Sequence, residues 1–235
     1  MNYNKHFRTD IVCKNCLSKN TIIKEKKINN FTYRTIFFNN LNIKKELKKE
    51  IIYFFNKLNI KKGNHILIVG LGNDNNTADS IGPKTIKYLK INSFLETFNI
   101  KVNDTVTSSL EPGVLGETGI ESFKIIKSVC KEIKPDLVIL IDSIVSDNIL
   151  DLNKTIQITD AGINPGFGFF GFTSQISKKT LNVPTITIGV TTAIEVKFDN
   201  IKIPYFLSSK DIDDYILKMS KIIAFSINEA INDLK

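Results

Sequence analysis

Apolar residues along the chain recur with two periods. From Lys44 to Leu58, the residues Leu47, Ile51, Phe54, Phe55 and Leu58 return at helical spacing with lysines opposite, which predicts an amphipathic helix ended by Asn59 and Gly63. A second long helix is predicted from about Ser209 to Leu234, with Ile212, Tyr215, Ile216, Met219, Ile223, Ile227 and Ile231 inward and Ser208-x-x-Asp211 as its cap. The capping-box pattern Thr118-Gly-Ile-Glu121 opens a third, with Ile120, Phe123, Ile126, Cys130 and Ile133 inward, and Lys134-Pro135-Asp136 stops it. Uninterrupted apolar runs of strand length lie between them. Ile66–Val69 and Leu137–Ile141 read as strands buried on both faces, the second central and parallel. Thr155–Thr159 and Pro184–Val190 are further strands, and a weaker one lies near Ile100–Val106. Pro83 is placed for the first turn of a helix running to about Asn92.

Residues 1–40 are polar and irregular, with a β-like piece at Phe31–Phe37, and read as an N-terminal arm with a peripheral hairpin. Residues 41–235 alternate strands with helices. The fold class this predicts is α/β, a single three-layer domain with a mostly parallel twisted sheet and helices on both faces.

Composition narrows the function classes. At 235 residues, with 42% hydrophobic and 24% charged, the chain can bury a substantial core. No apolar run is long enough to span a bilayer, and Met1-Asn-Tyr-Asn-Lys5 has no signal-peptide character, so a cytoplasmic protein without a membrane partner is expected. The net charge of +8 comes from lysines spread along the whole chain, not from a patch, so no direct nucleic-acid partner is expected. Cys13-x-x-Cys16 has metal-ligand spacing but no second Cys or His pair near it, and a structural zinc wants four ligands; no metal or other cofactor is expected. Cys130 falls on an apolar helix face and reads as core.

The candidate chemistry follows by elimination. The chain has two histidines, His6 in the arm and His65 ahead of the first apolar strand, at the wrong edge of the sheet for a site at strand carboxyl ends. A Ser–His or Cys–His nucleophile is therefore hard to build. Gly70-Leu-Gly72 after a strand resembles the start of a dinucleotide fingerprint, but Asn75 stands where the third glycine belongs and no Gly-Lys-Ser/Thr follows. Two aspartates remain, Asp79 in the loop after Ile66–Val69 and Asp142 at the end of Leu137–Ile141. On neighbouring parallel strands both carboxylates would face one crevice, share a proton, and act as base and acid around a water. An aspartate at a strand end also serves to cap a turn, and spacing alone leaves that alternative open.

Five stretches, in order over residues 65–195, resemble the spore germination protease family. They are Val69-Gly-Leu-Gly-Asn73 with Thr77-x-Asp79-x-x-Gly82-Pro83; Pro112-Gly-Val-Leu-Gly-x-Thr118-Gly-Ile-Glu121; Lys134 to Asp142; Thr155 to Gly166; and Leu181 to Val190. The resemblance implies an endopeptidase that degrades small acid-soluble spore proteins at germination, in the spore core, on a fold resembling that of hydrogenase-maturation proteases. It implies Asp79 and Asp142 as the catalytic pair. Gly72, Asn73, Gly113, Asp160 and Gly166 would contact the peptide. Arg8-Thr9-Asp10 resembles the segment where a propeptide is removed from the zymogen, and the family precedent is a homotetramer. This chain departs from the family in a shortened segment at Thr191–Ser208, in Ala78 before Asp79, and in Glu111, Asn164 and Thr191. Two other readings stay open: a maturation-type protease that recognises a metal on its substrate, and a sporulation binding protein without activity.

Overall fold

The computed structural model describes residues 20–100, 104–165, 174–197 and 205–235. In chain order the elements are β1 (Thr21–Ile28), β2 (Phe31–Phe38), α1 (Lys44–Lys57), β3 (His65–Gly70), α2 (Ile81–Ile86), α3 (Phe94–Thr97), β4 (Val106–Leu110), α4 (Leu115–Thr118), α5 (Ser122–Ile133), β5 (Leu137–Ser146), β6 (Thr155–Thr159), α6 (Lys178–Leu181), β7 (Thr185–Val196), β8 (Tyr205–Leu207) and α7 (Ile212–Asn232). The strands form one sheet in the order β1-β2-β6-β7-β5-β3-β4, and β8 adds to the far end of β7.

The sheet is mixed, which corrects the expectation of a mostly parallel one. Among the described residues β3 pairs in parallel with β4 and β5, and β5 with β7. The pairs β1–β2, β2–β6, β6–β7 and β7–β8 are antiparallel and outnumber them. The hairpin read at Phe31–Phe37 exists and is part of this sheet, because β2 pairs with β6 over Tyr33–Phe37. The strand placed near Ile100–Val106 lies instead at Val106–Leu110, beside β3.

Strand parity builds two apolar layers. Ile66 and Ile68 of β3, Leu137, Ile139 and Ile141 of β5, and Ile186, Ile188 and Val190 of β7 meet α1, α2 and α7 on one face. Leu67 and Val69 of β3 and Val138 and Leu140 of β5 meet Ile126 and Cys130 of α5 on the other. Burial on both faces is why these runs are continuously apolar, each fully buried side chain being worth about 1.5–3 kcal/mol of transfer free energy. The long helices match their periodicity: Leu47, Ile51, Phe54 and Phe55 of α1 and all seven inward residues read for α7 are buried.

Three helix boundaries differ from expectation. The helix at Pro83 stops at Ile86 and does not reach Asn92. Thr118 is no N-cap: it ends α4, Gly119 follows at φ +70, and α5 starts at Ser122 behind Glu121, which leaves Ile120 49% exposed. Asp211 precedes α7 without a side-chain cap hydrogen bond.

Candidate active site at the switch point

β3 leads through α2 to β4 on one side of it, and β4 leads through α5 to β5 on the other. The carboxyl ends of β3 and β5 therefore flank a topological switch point, where open α/β sheets hold their ligands. The N–H of Leu71 donates to Ile141 O at 2.8 Å and closes the floor of this crevice. Glycines make the approach possible. A Cβ on Gly70 would lie 2.5 Å from Gly82 O, and one on Gly82 would lie 2.2 Å from Leu71 O, so the strand end and the start of α2 touch backbone to backbone. Gly72, at φ +113, carries the chain back against the Asp79 turn, where its Cβ would fall 1.9 Å from Asp79 O.

Asp79 ends a short 3-10 turn, Thr77–Asp79. Two contacts fix the turn: Asn73 N–H reaches both Asp79 O at 3.2 Å and Asp79 Oδ2 at 3.0 Å, and the Thr192 hydroxyl of β7 donates to Ala78 O at 2.6 Å. Asp142 is in β5, 7% exposed, with the parity of Val138 and Leu140. Its Oδ1 accepts a hydrogen bond from Ser143 N–H at 2.9 Å.

No cation pairs with either acid among the described residues. Burial pushes the Asp79 carboxyl up to about 6; the Asn73 amide works against that and the negative charge of Glu117 adds to it. Burial also drives the Asp142 carboxyl well above the usual carboxylate range, and the charge of Asp79 pushes it further. The two acids are thus electrostatically coupled and titrate as a pair.

The remaining expected residues divide. Gly72 and Asn73 belong to the crevice. Gly113 lies across it at φ +68, with its carbonyl accepting from Ser122 Oγ at 2.8 Å. Asp160 does not join them. β6 runs antiparallel to β7, so its carboxyl end lies at the opposite edge of the sheet, where Asp160 takes Thr32 N–H at 2.8 Å and pairs with Lys57 Nζ at 2.5 Å. Asp10, Gly166, Cys13 and Cys16 lie outside the described residues. His65 is at the start of β3, away from the crevice, and shares a hydrogen bond with Ser108 Oγ at 2.8 Å. Among the described residues no group of three or more His, Cys, Asp or Glu has metal-binding geometry, and no helix is long and apolar enough to cross a membrane. Sequence reasoning missed Glu117, the unspecified position inside the second stretch; its place opposite the Asp79 loop comes only from the fold.

Fold and site together define an α/β protein with an acid pair at its switch point. Residues 35–208 match the germination protease family, and the chain belongs to that family. Its relatives include the germination proteases of Geobacillus sp. (40% identical over 150 residues, 63% of this chain and 40% of that one), Oceanobacillus iheyensis (40% over 177 residues, 73% and 45%) and Bacillus licheniformis (41% over 173 residues, 72% and 45%). The chain spans less than half the length of these relatives. The solved metalloproteinase-II from Bacteroides fragilis overlaps 88% of this chain and 78% of its own at 10% identity with a TM-score of 0.22, too slight a likeness to bear on fold or chemistry.

Proposed function

We propose that this chain is an endopeptidase of spore germination, in the spore core, that hydrolyses small acid-soluble spore proteins with Asp79 as base and Asp142 as acid. The observation that carries the reading is the pair itself: two acids at one switch point, without cations among the described residues, one lifted to about 6 and the other raised well above the usual carboxylate range. Above its midpoint Asp79 is ionised and takes a proton from water, whose oxygen attacks the peptide carbonyl carbon. Asp142 delivers its proton to the amide nitrogen as the C–N bond breaks, and the proton held by Asp79 restores the pair. Backbone at Gly72, Asn73 and Gly113 lines the crevice on the side where an extended peptide would lie. The substrate class, a DNA-protecting spore protein, is the one the family resemblance implies.

The test is incubation with a small acid-soluble spore protein, read by mass spectrometry. The wild-type chain is expected to cut it, and Asp142→Asn to cut at least about a thousandfold more slowly with an unchanged circular-dichroism spectrum. Undiminished cutting by Asp142→Asn would overturn the acid pair; binding without cutting by the wild type would make the chain a binding protein. The same spectra show whether residues 1–10 are removed after Asp10, as a self-processed zymogen requires, and light scattering tests the homotetramer.

A further inference from the structure

Glu117 is outside the acid pair and yet tied to it. It stands in α4, across the crevice from the Asp79 loop, and its Oε1 accepts a hydrogen bond from Asn75 Nδ2 at 2.9 Å. Asn75 N–H donates in turn to Asn73 Oδ1 at 2.7 Å, and Asn73 N–H donates to Asp79 Oδ2 at 3.0 Å. Three successive hydrogen bonds therefore connect Glu117 to the candidate base. Gly113 leaves the space: a Cβ there would lie 2.9 Å from Thr118 Cγ2 and 3.9 Å from Glu117 Oε2.

The charges around the Asp79 turn single out Glu117. Asp74, in the same loop, is spanned by Lys84 at 2.6 Å and Lys87 at 2.8 Å. Glu111 acts on Lys87. β5 contributes Asp142, and β7 contributes the neutral Thr192. The buried side of α7 carries Tyr215 with Ile216 and Met219, while its Asp214 and Lys218 pair with each other on the outer side. Glu117 is the charged group whose field opposes ionisation of Asp79.

We propose that Glu117 is a positioning residue of the acid pair, which steadies the Asn73 amide against Asp79 through Asn75 and sets its own negative charge across the crevice from that turn. The amide contact favours the carboxylate and the Glu117 charge disfavours it, so together they set the pH at which the base is armed. The inference rests on the reading of Asp79 and Asp142 as acid–base machinery.

The experiment compares wild type, Glu117→Gln and Glu117→Ala in the full chain. Glutamine keeps an oxygen for Asn75 and removes the charge; alanine removes both. Two readouts are taken: the acid limb of kcat/KM for spore-protein cleavage, and the titration midpoint of Asp79 by carbon-13 carboxyl NMR, which needs no activity. Glu117→Gln is expected to lower the midpoint and the acid limb together by roughly half a pH unit at low ionic strength, and by less in high salt. Glu117→Ala is expected to lower the midpoint by less, because the loosened Asn73 amide favours the carboxylate less, and to raise KM, because the loop loses its tether. An unmoved midpoint in Glu117→Gln, or a shift that salt does not diminish, overturns the charge role. A KM in Glu117→Ala no higher than in Glu117→Gln overturns the tether. If the wild type does not cleave, the proteolytic reading fails, and the NMR midpoint still decides whether Glu117 controls Asp79.

Discussion

The sheet has two halves that treat the same residue type in opposite ways. In the parallel half, β4-β3-β5-β7, Asp142 closes an apolar strand run and has one backbone N–H and, among the described residues, no cation. In the antiparallel half, β7-β6-β2-β1, Asp160 follows the alternating strand β6, and there it meets Lys57 and the Thr32 amide. The neighbouring Arg34 is likewise matched to Glu50 and Glu25 and stacks on Tyr53. The layers differ too. In the parallel half β3 and β5 send core residues to both faces, whereas β1, β2, β6 and the shared strand β7 send theirs only to the α1/α7 face. One half neutralises its buried charge and is built for stability; the other leaves two acids at an energetic cost, which marks a site where charge has work to do.

The contrast can be broken most severely at Gly72. Alanine there would force a Cβ to 1.9 Å from Asp79 O at φ +113. We expect Gly72→Ala to lose on the order of 3 kcal/mol or more in denaturant unfolding and to abolish cleavage. Gly63→Ala, at φ +89 in open space, is the control for strain alone and should cost about 1 kcal/mol.

A second test uses pH. The folded-state carboxyl of Asp79 is raised from 3.8 to about 6, so the folded chain binds more protons than the unfolded one across that window. The associated stability is present below 3.8 and lost as pH rises through about 6, by at most roughly 3 kcal/mol. Urea unfolding of Asp79→Asn against wild type should show the variant gaining relative stability over that range. A difference that stays flat with pH would mean that Asp79 is not held toward its protonated form.

The smallest effect is expected in the other half. Asp160→Ala should cost roughly 1–2 kcal/mol in thermal or urea unfolding, through the lost Lys57 and Thr32 contacts, with cleavage within about twofold of wild type. A large loss of cleavage at full stability would instead return Asp160 to the substrate path and erase the distinction between the halves.

What the sequence made legible follows the same division. Continuous apolar runs revealed β3 and β5, and helical periodicity revealed α1 and the inner face of α7, because burial on both faces or along one stripe leaves a direct imprint on residue choice. Asp79 and Asp142 were legible as a pair because both follow strands that are in fact parallel neighbours. Strand direction leaves no such imprint. Thr155–Thr159 reads alike run either way, so the resemblance that set Asp160 beside the peptide gave no warning that the antiparallel pairing of β6 places it at the far edge. The Thr118–Glu121 pattern misled for a local reason: the Thr118 hydroxyl donates to Ile120 O and accepts from Ile120 N–H, so it shapes a turn and caps no helix. Glu117 left no signal because its importance depends on a hydrogen bond to a residue 42 positions away.

β7 is hydrogen-bonded to β5 along one edge and to β6 and β8 along the other, and its Thr192 hydroxyl grips the Asp79 turn. The two halves therefore share a strand where modular proteins have a linker. Parting them would strip one half of a covered edge and the other of the hydroxyl that seats its candidate base. Recombination or gene splitting along that line would leave two fragments that each lack a wall.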